Sequence, residues 1–477
     1  MRSKNGSEDV FCHQDDIADT GRHGYHLLMK NTLFIISIFF PLFCFADPGF
    51  SESVQNQKDL FKQIKKNGCE ETIDQAKEEL SKMKQTLQGE NDIETIQGVN
   101  DLFNLRLDLK SVVDLKKNSC LKRLREYYFV SRGLQDQIYV SAHASEQKNI
   151  SDVDFTKIVV PDLTDPQRSL LNKKFGTYEI HPGDIMIAKG VSFTSSTISQ
   201  IATIPSHLSH IAVFVLQDGQ LKTIEAYIGK GLDPYRYDEA LKNENARIVI
   251  LRPKDPQLAQ AASNAIVKVY NSEKEQGRKL KYDYSLDLEK HDRLTCAEVA
   301  VYAFQMGSDE KVTVPEFSSE VLFKDEFFIK KLGLKNGTMM LPDDMEFDSR
   351  FETVLEWTEV GFLQDSIRKD QIMNYLLEQI RIGKNMIKPS FKSTFLDFLW
   401  KTRNMEWLWP VAAKILGLAK DFDGDVPILA LKTSLDVDST GHSYLNRLYD
   451  EDLYQYGKTK RWMTDTELAA FIRKTSQ

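Results

Sequence analysis

The chain has 477 residues, 41% of them hydrophobic, more than one ordinary core of roughly 100–200 residues needs, so two or three domains are expected. A formal net charge of −8 argues against nucleic acid as the main partner, because that would call for a face rich in Lys and Arg. After the N-terminal region no run of about 18 apolar residues occurs, so no later segment is expected to span a membrane.

Residues 1–28 are polar and patternless, and a second methionine, Met29, then opens "MKNTLFIISIFFPLFCFADPGF". Lys30 supplies a positive start, Thr32 to Cys44 an apolar stretch, and Cys44-Phe45-Ala46 small residues at −3 and −1 of a cleavage site. Residues 1–46 therefore read as a leader, with Met29 as the true start and a signal peptide over 29–46. The expected location is periplasmic or secreted, for a mature chain beginning at Asp47.

The next region, 47–150, reads as a helical hairpin. Ile73, Ala76, Leu80, Met83 and Leu87 recur at steps of three and four, and Leu102, Leu105, Leu109 and Val112 repeat the stripe. If the two helices end near Leu87 and begin near Asp101, Cys69 and Cys120 are 18 and 19 residues from the turn and lie level. A Cys69–Cys120 disulfide is expected, which suits an oxidising compartment and leaves Cys296 free in the mature chain.

Between 175 and 345 the pattern turns to α+β with an antiparallel sheet. "PGDIMIA" reads as a turn and a strand, "SSTISQIATI" as a short helix, and "HIAVFVL" as a strand buried on both faces. "QDGQ" is a hairpin turn returning into "LKTIEAY"; "ARIVILRP" is a further strand and "DPQLAQAASNAIVKVY" a helix. From 350 to 477 the chain reads as helical, beginning with "ETVLEWTEVGFLQDSIRKDQIMNYLLEQIRIG". Trp400, Trp407 and Trp409 there read as core more readily than as an exposed platform. "DFDGD" at 421–425 lacks the glycine and glutamate positions of a calcium loop and reads as an acidic turn.

Two histidines stand at the head of the buried strand, in "SHLSHIAVFV". If Asp218-Gly219 is a two-residue loop, His210 lies opposite Tyr227, and His210 and Glu225 are diagonal neighbours on one face, roughly 7–8 Å apart at Cα. A carboxylate so placed holds an imidazole, whereas His207 has no such constraint. His207 and His210 are not a zinc pair, since a strand does not align i with i+3 and no third ligand is evident. The partner nucleophile is expected in "RLTCAEVAVYAF". Thr295 and Glu298 make the S/T-x-x-E capping box, which puts Cys296 at the first helical position, where free N–H groups and the helix dipole favour a thiolate.

"PGDIMIA", "SHIAVFV", "IEAY", "KYDYSLD" and "TCAEVAVYAF", in that order, resemble the permuted papain-like, NlpC-type cysteine hydrolases, the YiiX/YebB-like amidase group related to the lecithin:retinol acyltransferase family. The resemblance covers about 175–345 and implies a permuted papain-like domain. It implies Cys296 as nucleophile, His210 after Ser209 as base and Glu225 as the residue orienting it. Tyr282 and Asp283 match a Tyr-Asp element that, with Ser209, would serve the oxyanion or the substrate, and Pro342-Asp343-Asp344 a segment near the domain's end. Thr295 and Ala297 depart from the aromatic and serine that often flank the cysteine, which leaves the second oxyanion donor open. The implied activity is hydrolysis of an amide or ester through an acyl-enzyme, with no metal or cofactor. A cell-wall peptide is the favoured substrate, with peripheral association with the envelope. A lipid or N-acyl substrate on the same site, and a catalytically inactive papain-like binding module, are the alternatives.

Overall fold

The structure, a computed structural model, describes residues 48–89, 96–142, 168–172, 180–284, 292–324, 326–402, 405, 407–416, 426–459 and 461–475. The leader and the 421–425 turn lie outside the described residues.

Five helices open the described chain: α1 (Pro48–Lys62), the single turn α2 (Ile64–Asn67), α3 (Cys69–Gly89), α4 (Ile96–Val112) and α5 (Asn118–Ala142). Ile73, Ala76, Leu80 and Met83 of α3 are fully buried, as their helical spacing demands. The Cys69–Cys120 disulfide is present, with Cα atoms 5.6 Å apart. The hairpin expected to create it is not. The second apolar stripe ends with α4, which packs on α1 and α5, and Cys120 belongs to the first turn of a third long helix. Asp114 breaks the run, accepting from the Lys116 N–H in a tight turn. The bridged helices α3 and α5 run in the same direction, because Glu70 meets Ser119, Asp74 meets Arg123 and Lys77 meets Glu126 at one constant offset.

The remaining elements build a sheet and its covering helices. In chain order they are β1 (Arg168–Asn172), β2 (Ile185–Gly190), α6 (Phe193–Gln200), β3 (His210–Gln217), β4 (Gln220–Tyr227), β5 (Gly231–Arg236), α7 (Tyr237–Lys242), β6 (Asn245–Pro253), α8 (Pro256–Glu275) and α9 (Cys296–Gly307). A small ribbon of β7 (Ser319–Val321) and β8 (Gly337–Met339) flanks α10 (Phe327–Lys331). Then come a 3-10 turn at Pro342–Phe347, β9 (Phe351–Glu359), α11 (Val360–Arg381), α12 (Phe391–Trp400), α13 (Trp409–Leu416), α14 (Ile428–Thr459) and α15 (Asp465–Thr475).

Seven strands form one sheet in the order β1-β9-β6-β2-β3-β4-β5, every adjacent pair antiparallel. Its central strands are apolar on both faces. Ile185, Ile187, Ile211, Val213, Val249 and Leu251 pack with α8 and α9, and Met186, Ala212, Phe214, Ile248 and Ile250 pack with Leu355 and Trp357. "FETVLEWTE", expected to begin a helix, is β9: its Thr, Val, Phe and Trp content fits a pleated surface, and α11 starts only at Val360. The antiparallel α+β class is thus present, and residues Ala46–Gln477 make one compact unit.

A buried ionic cluster ties the N-terminal helices to this sheet. Glu356 of β9, fully buried, accepts from Arg106 of α4 at 2.9 Å and Arg132 of α5 at 3.0 Å, and Arg247 of β6 lies 3.3 Å away. Arg132 also donates to Glu346 at 2.7 Å, and Arg247 pairs with Asp136.

Candidate active site

The β3–β4 hairpin has the register that a two-residue loop dictates, Gln217 opposite Gln220 and Val213 opposite Ile224. Asp218 and Gly219 both take positive φ, 54° and 71°, the conformation whose twist matches the strands it joins. That register brings His210 to Glu225: Nε2 donates to Glu225 Oε2 at 2.7 Å. The other carboxylate oxygen accepts from Thr223 Oγ1 at 2.6 Å, and the ring stacks on Tyr227 with centroids 4.8 Å apart. The imidazole is therefore held at one edge and on one face.

Cys296 is the first residue of α9. The capping box closes as expected, with Thr295 Oγ1 accepting from Glu298 N at 3.1 Å and Glu298 Oε2 accepting from Thr295 N at 2.6 Å. The far end of the helix is anchored at Gly307, where an added Cβ would meet the α8 backbone at 2.5 Å from Ala262 N. Cys296 is a near neighbour of His210, close enough to raise its pKa. Since Nε2 is engaged by Glu225, Nδ1 is the ring nitrogen left for it. Burial alone would pull the His210 pKa down, but its hydrogen bonds to Cys296 and Glu225, and their charges, push it up to about 10. The ring therefore keeps its proton at neutral pH.

Cys296 is buried yet lines a cavity of about 330 Å³. Tyr282 and Asp283 line it too. Burial, then the neighbouring Cys296, holds the Tyr282 phenol well above its usual pKa, so it stays a neutral donor. Ser209 is not part of this site: its hydroxyl pairs with Ser195 Oγ at 2.5 Å and meets the Gly190 N–H at 3.4 Å, holding the approach to α6. His207 also lies elsewhere, donating from Nε2 to the Phe129 carbonyl at 3.0 Å and stacking on that ring. Burial, with Arg247 and Arg132 nearby, holds its pKa well below the usual value, so it is neutral. Pro342 lines the cavity, but Asp343 and Asp344 turn to Arg125, at 2.8 and 2.6 Å.

Sequence reasoning missed Thr223, although it shares the period-two face of Glu225. It also missed the wall that α14 contributes to the cavity through Ala430, Leu431, Ser434 and Val437. Of the tryptophans, Trp400 is core and Trp407 is 76% exposed, as are Phe391 and Phe398 of α12 to lesser degrees, and the Trp409 side chain lies outside what is described. Among the described residues no group of three or more His, Cys, Asp or Glu is arranged to hold a metal, and no helix is long and apolar enough to cross a membrane.

No protein-family model matches the chain, and no curated protein matches it. Among solved structures, the metalloprotein yiiX from Escherichia coli O157:H7 is similar over 37% of this chain and 97% of its own, at 18% identity and a TM-score of 0.29. A likeness of that size bears on neither the site nor its chemistry.

Proposed function

We propose that the protein is a secreted cysteine hydrolase that cleaves an amide or ester bond through Cys296, His210 and Glu225, on a permuted papain-like arrangement of strand and helix. The observation that carries this reading is a single imidazole engaged by a buried carboxylate on one nitrogen and close enough to a helix-N-terminal cysteine for that cysteine to raise its pKa. The leader and the Cys69–Cys120 bridge support an oxidising destination.

In the first step the Cys296 thiolate attacks the carbonyl carbon, forming the S–C bond, while the Cys296 backbone N–H and a second donor receive the oxyanion. Tyr282, which lines the same cavity as the cysteine and keeps its proton, is our candidate for that second role. As the C–N or C–O bond breaks, the His210 imidazolium gives its proton to the leaving amine or alcohol. Water then loses a proton to His210, attacks the thioester and releases the carboxylic acid, restoring thiolate and imidazolium. Glu225 keeps the ring oriented and favours its charged form.

The test is mass spectrometry of the intact protein with an activated short-chain ester. Acyl-enzyme on Cys296 is expected in the wild type and absent in Cys296→Ala, whose hydrolysis falls by about 10³-fold or more. Equal turnover by the two proteins would exclude the mechanism, and a folded wild type that neither acylates nor hydrolyses would leave the binding-module alternative.

A further inference from the structure

Resting on the hydrolase reading, we propose that the cavity at Cys296 is an acyl-chain subsite: the bond cleaved belongs to a fatty-acyl amide or ester, with the aliphatic chain lying between α6 and α14. The chemistry of the wall is the reason. Away from the catalytic end the cavity is lined by Ile198, Ile201, Leu334, Leu341, Leu431 and Val437. Among the described residues Asp283, beside Tyr282, is its one charged lining residue, and no Lys, Arg or His lines it. A cell-wall stem peptide carries carboxylates that would go unpaired on such a wall, at a cost for each buried charge. A methylene chain leaves nothing unpaired.

Size and shape agree. An apolar cavity of about 150 Å³ stays dry and admits benzene. One of about 330 Å³ therefore has room for a chain on the order of ten carbons. One wall helps leave that room open: Ala430 and Ser434 follow at a step of four on α14, so this helix meets the cavity with two small side chains beside Leu431 and Val437. That helix lies outside 175–345, the part of the chain that resembles a known hydrolase domain. The α14 wall of the subsite is thus this chain's own addition to the site.

The experiment has a kinetic arm and a binding arm. With p-nitrophenyl esters from acetyl to hexadecanoyl, kcat/KM is expected to climb about fourfold per methylene and level off when the cavity is full. Ser434→Trp and, separately, Ala430→Trp fill the space and are expected to lower the decanoyl-to-acetyl ratio of kcat/KM at least about tenfold. In the binding arm, calorimetry with decanamide is expected to show binding to Cys296→Ala and none to Cys296→Ala/Ser434→Trp, the fold of each being checked by circular dichroism. A flat ester series with real acetyl turnover would overturn the subsite and leave the hydrolase reading intact. Absence of decanamide binding, or faster cleavage of a peptidoglycan stem peptide than of a decanoyl amide, would also overturn the subsite. Decanamide binding in a protein that forms no acyl-enzyme with any ester would keep the subsite and remove the hydrolase reading.

Discussion

At the level of residues, the contrast between His207 and His210 shows how much local pattern carries. Both stand in one short segment, yet only His210 falls within the hairpin register, and that register follows from Asp218-Gly219 alone. Glu225 was therefore readable as its partner; the remote contact with Cys296 was readable only as a helix-start cysteine in need of a base. The arrangement has a pH signature. The His210 pKa is raised from 6.5 to about 10, so its proton is held through neutral pH and lost only as pH rises through about 10. Its contribution to stability is accordingly complete below about 6.5 and gone above about 10. The expected kcat/KM profile for a short ester has its basic limb near pH 10. Glu225→Gln keeps a hydrogen-bonding group but removes the charge, so the limb should move to lower pH and kcat/KM fall by up to about a hundredfold. A merely structural Glu225 would lower activity without moving the limb.

At the level of elements, short-range signals served well and long-range pairing did not. The strands β2, β3, β4 and β6 and the helices α6, α8 and α9 announce themselves through buried apolar runs, a strong turn and the capping box at Thr295, whereas β5 does not. The segment that forms β9 reads as the start of a helix in sequence, whereas its Glu356 and Glu359 are buried within the structure. The disulfide was readable while its context was not, since levels along two helices do not reveal that a third element intervenes. The bridge should nevertheless matter. It closes a loop of 51 residues, and chain entropy for that length gives about 4 kcal/mol. Cys69→Ser/Cys120→Ser is expected to lower the urea-unfolding free energy by about that amount, while the rate of Cys296 alkylation in the folded protein stays unchanged. An unaltered urea midpoint would mean that the bridge removes no net conformational freedom from the unfolded chain.

At the level of the whole molecule, the N-terminal helices and the sheet are joined through charge rather than through oil. Arg106, Arg132 and Arg247 come from three separate elements and converge on Glu356. No sequence pattern marks such a cluster, because isolated Arg and Glu ordinarily belong to the surface. Burial would raise the Glu356 pKa, but the three guanidinium groups overcome it and hold the carboxyl far below its usual value of 4.5. Its stabilising effect is thus present above about 4.5 and lost as pH falls toward the folded-state value. Removing the anion strands buried cations, which costs about 3–5 kcal/mol when one member of a buried pair is deleted. Glu356→Ala should therefore be destabilised by roughly that amount at pH 7, and the gap to wild type should narrow as the solution is acidified. Denaturant unfolding of both proteins at pH 7 and again below pH 4 measures the gap. A gap that stays constant with pH would assign the loss to vacated volume instead of charge, and the joint between helices and sheet would then be ordinary packing.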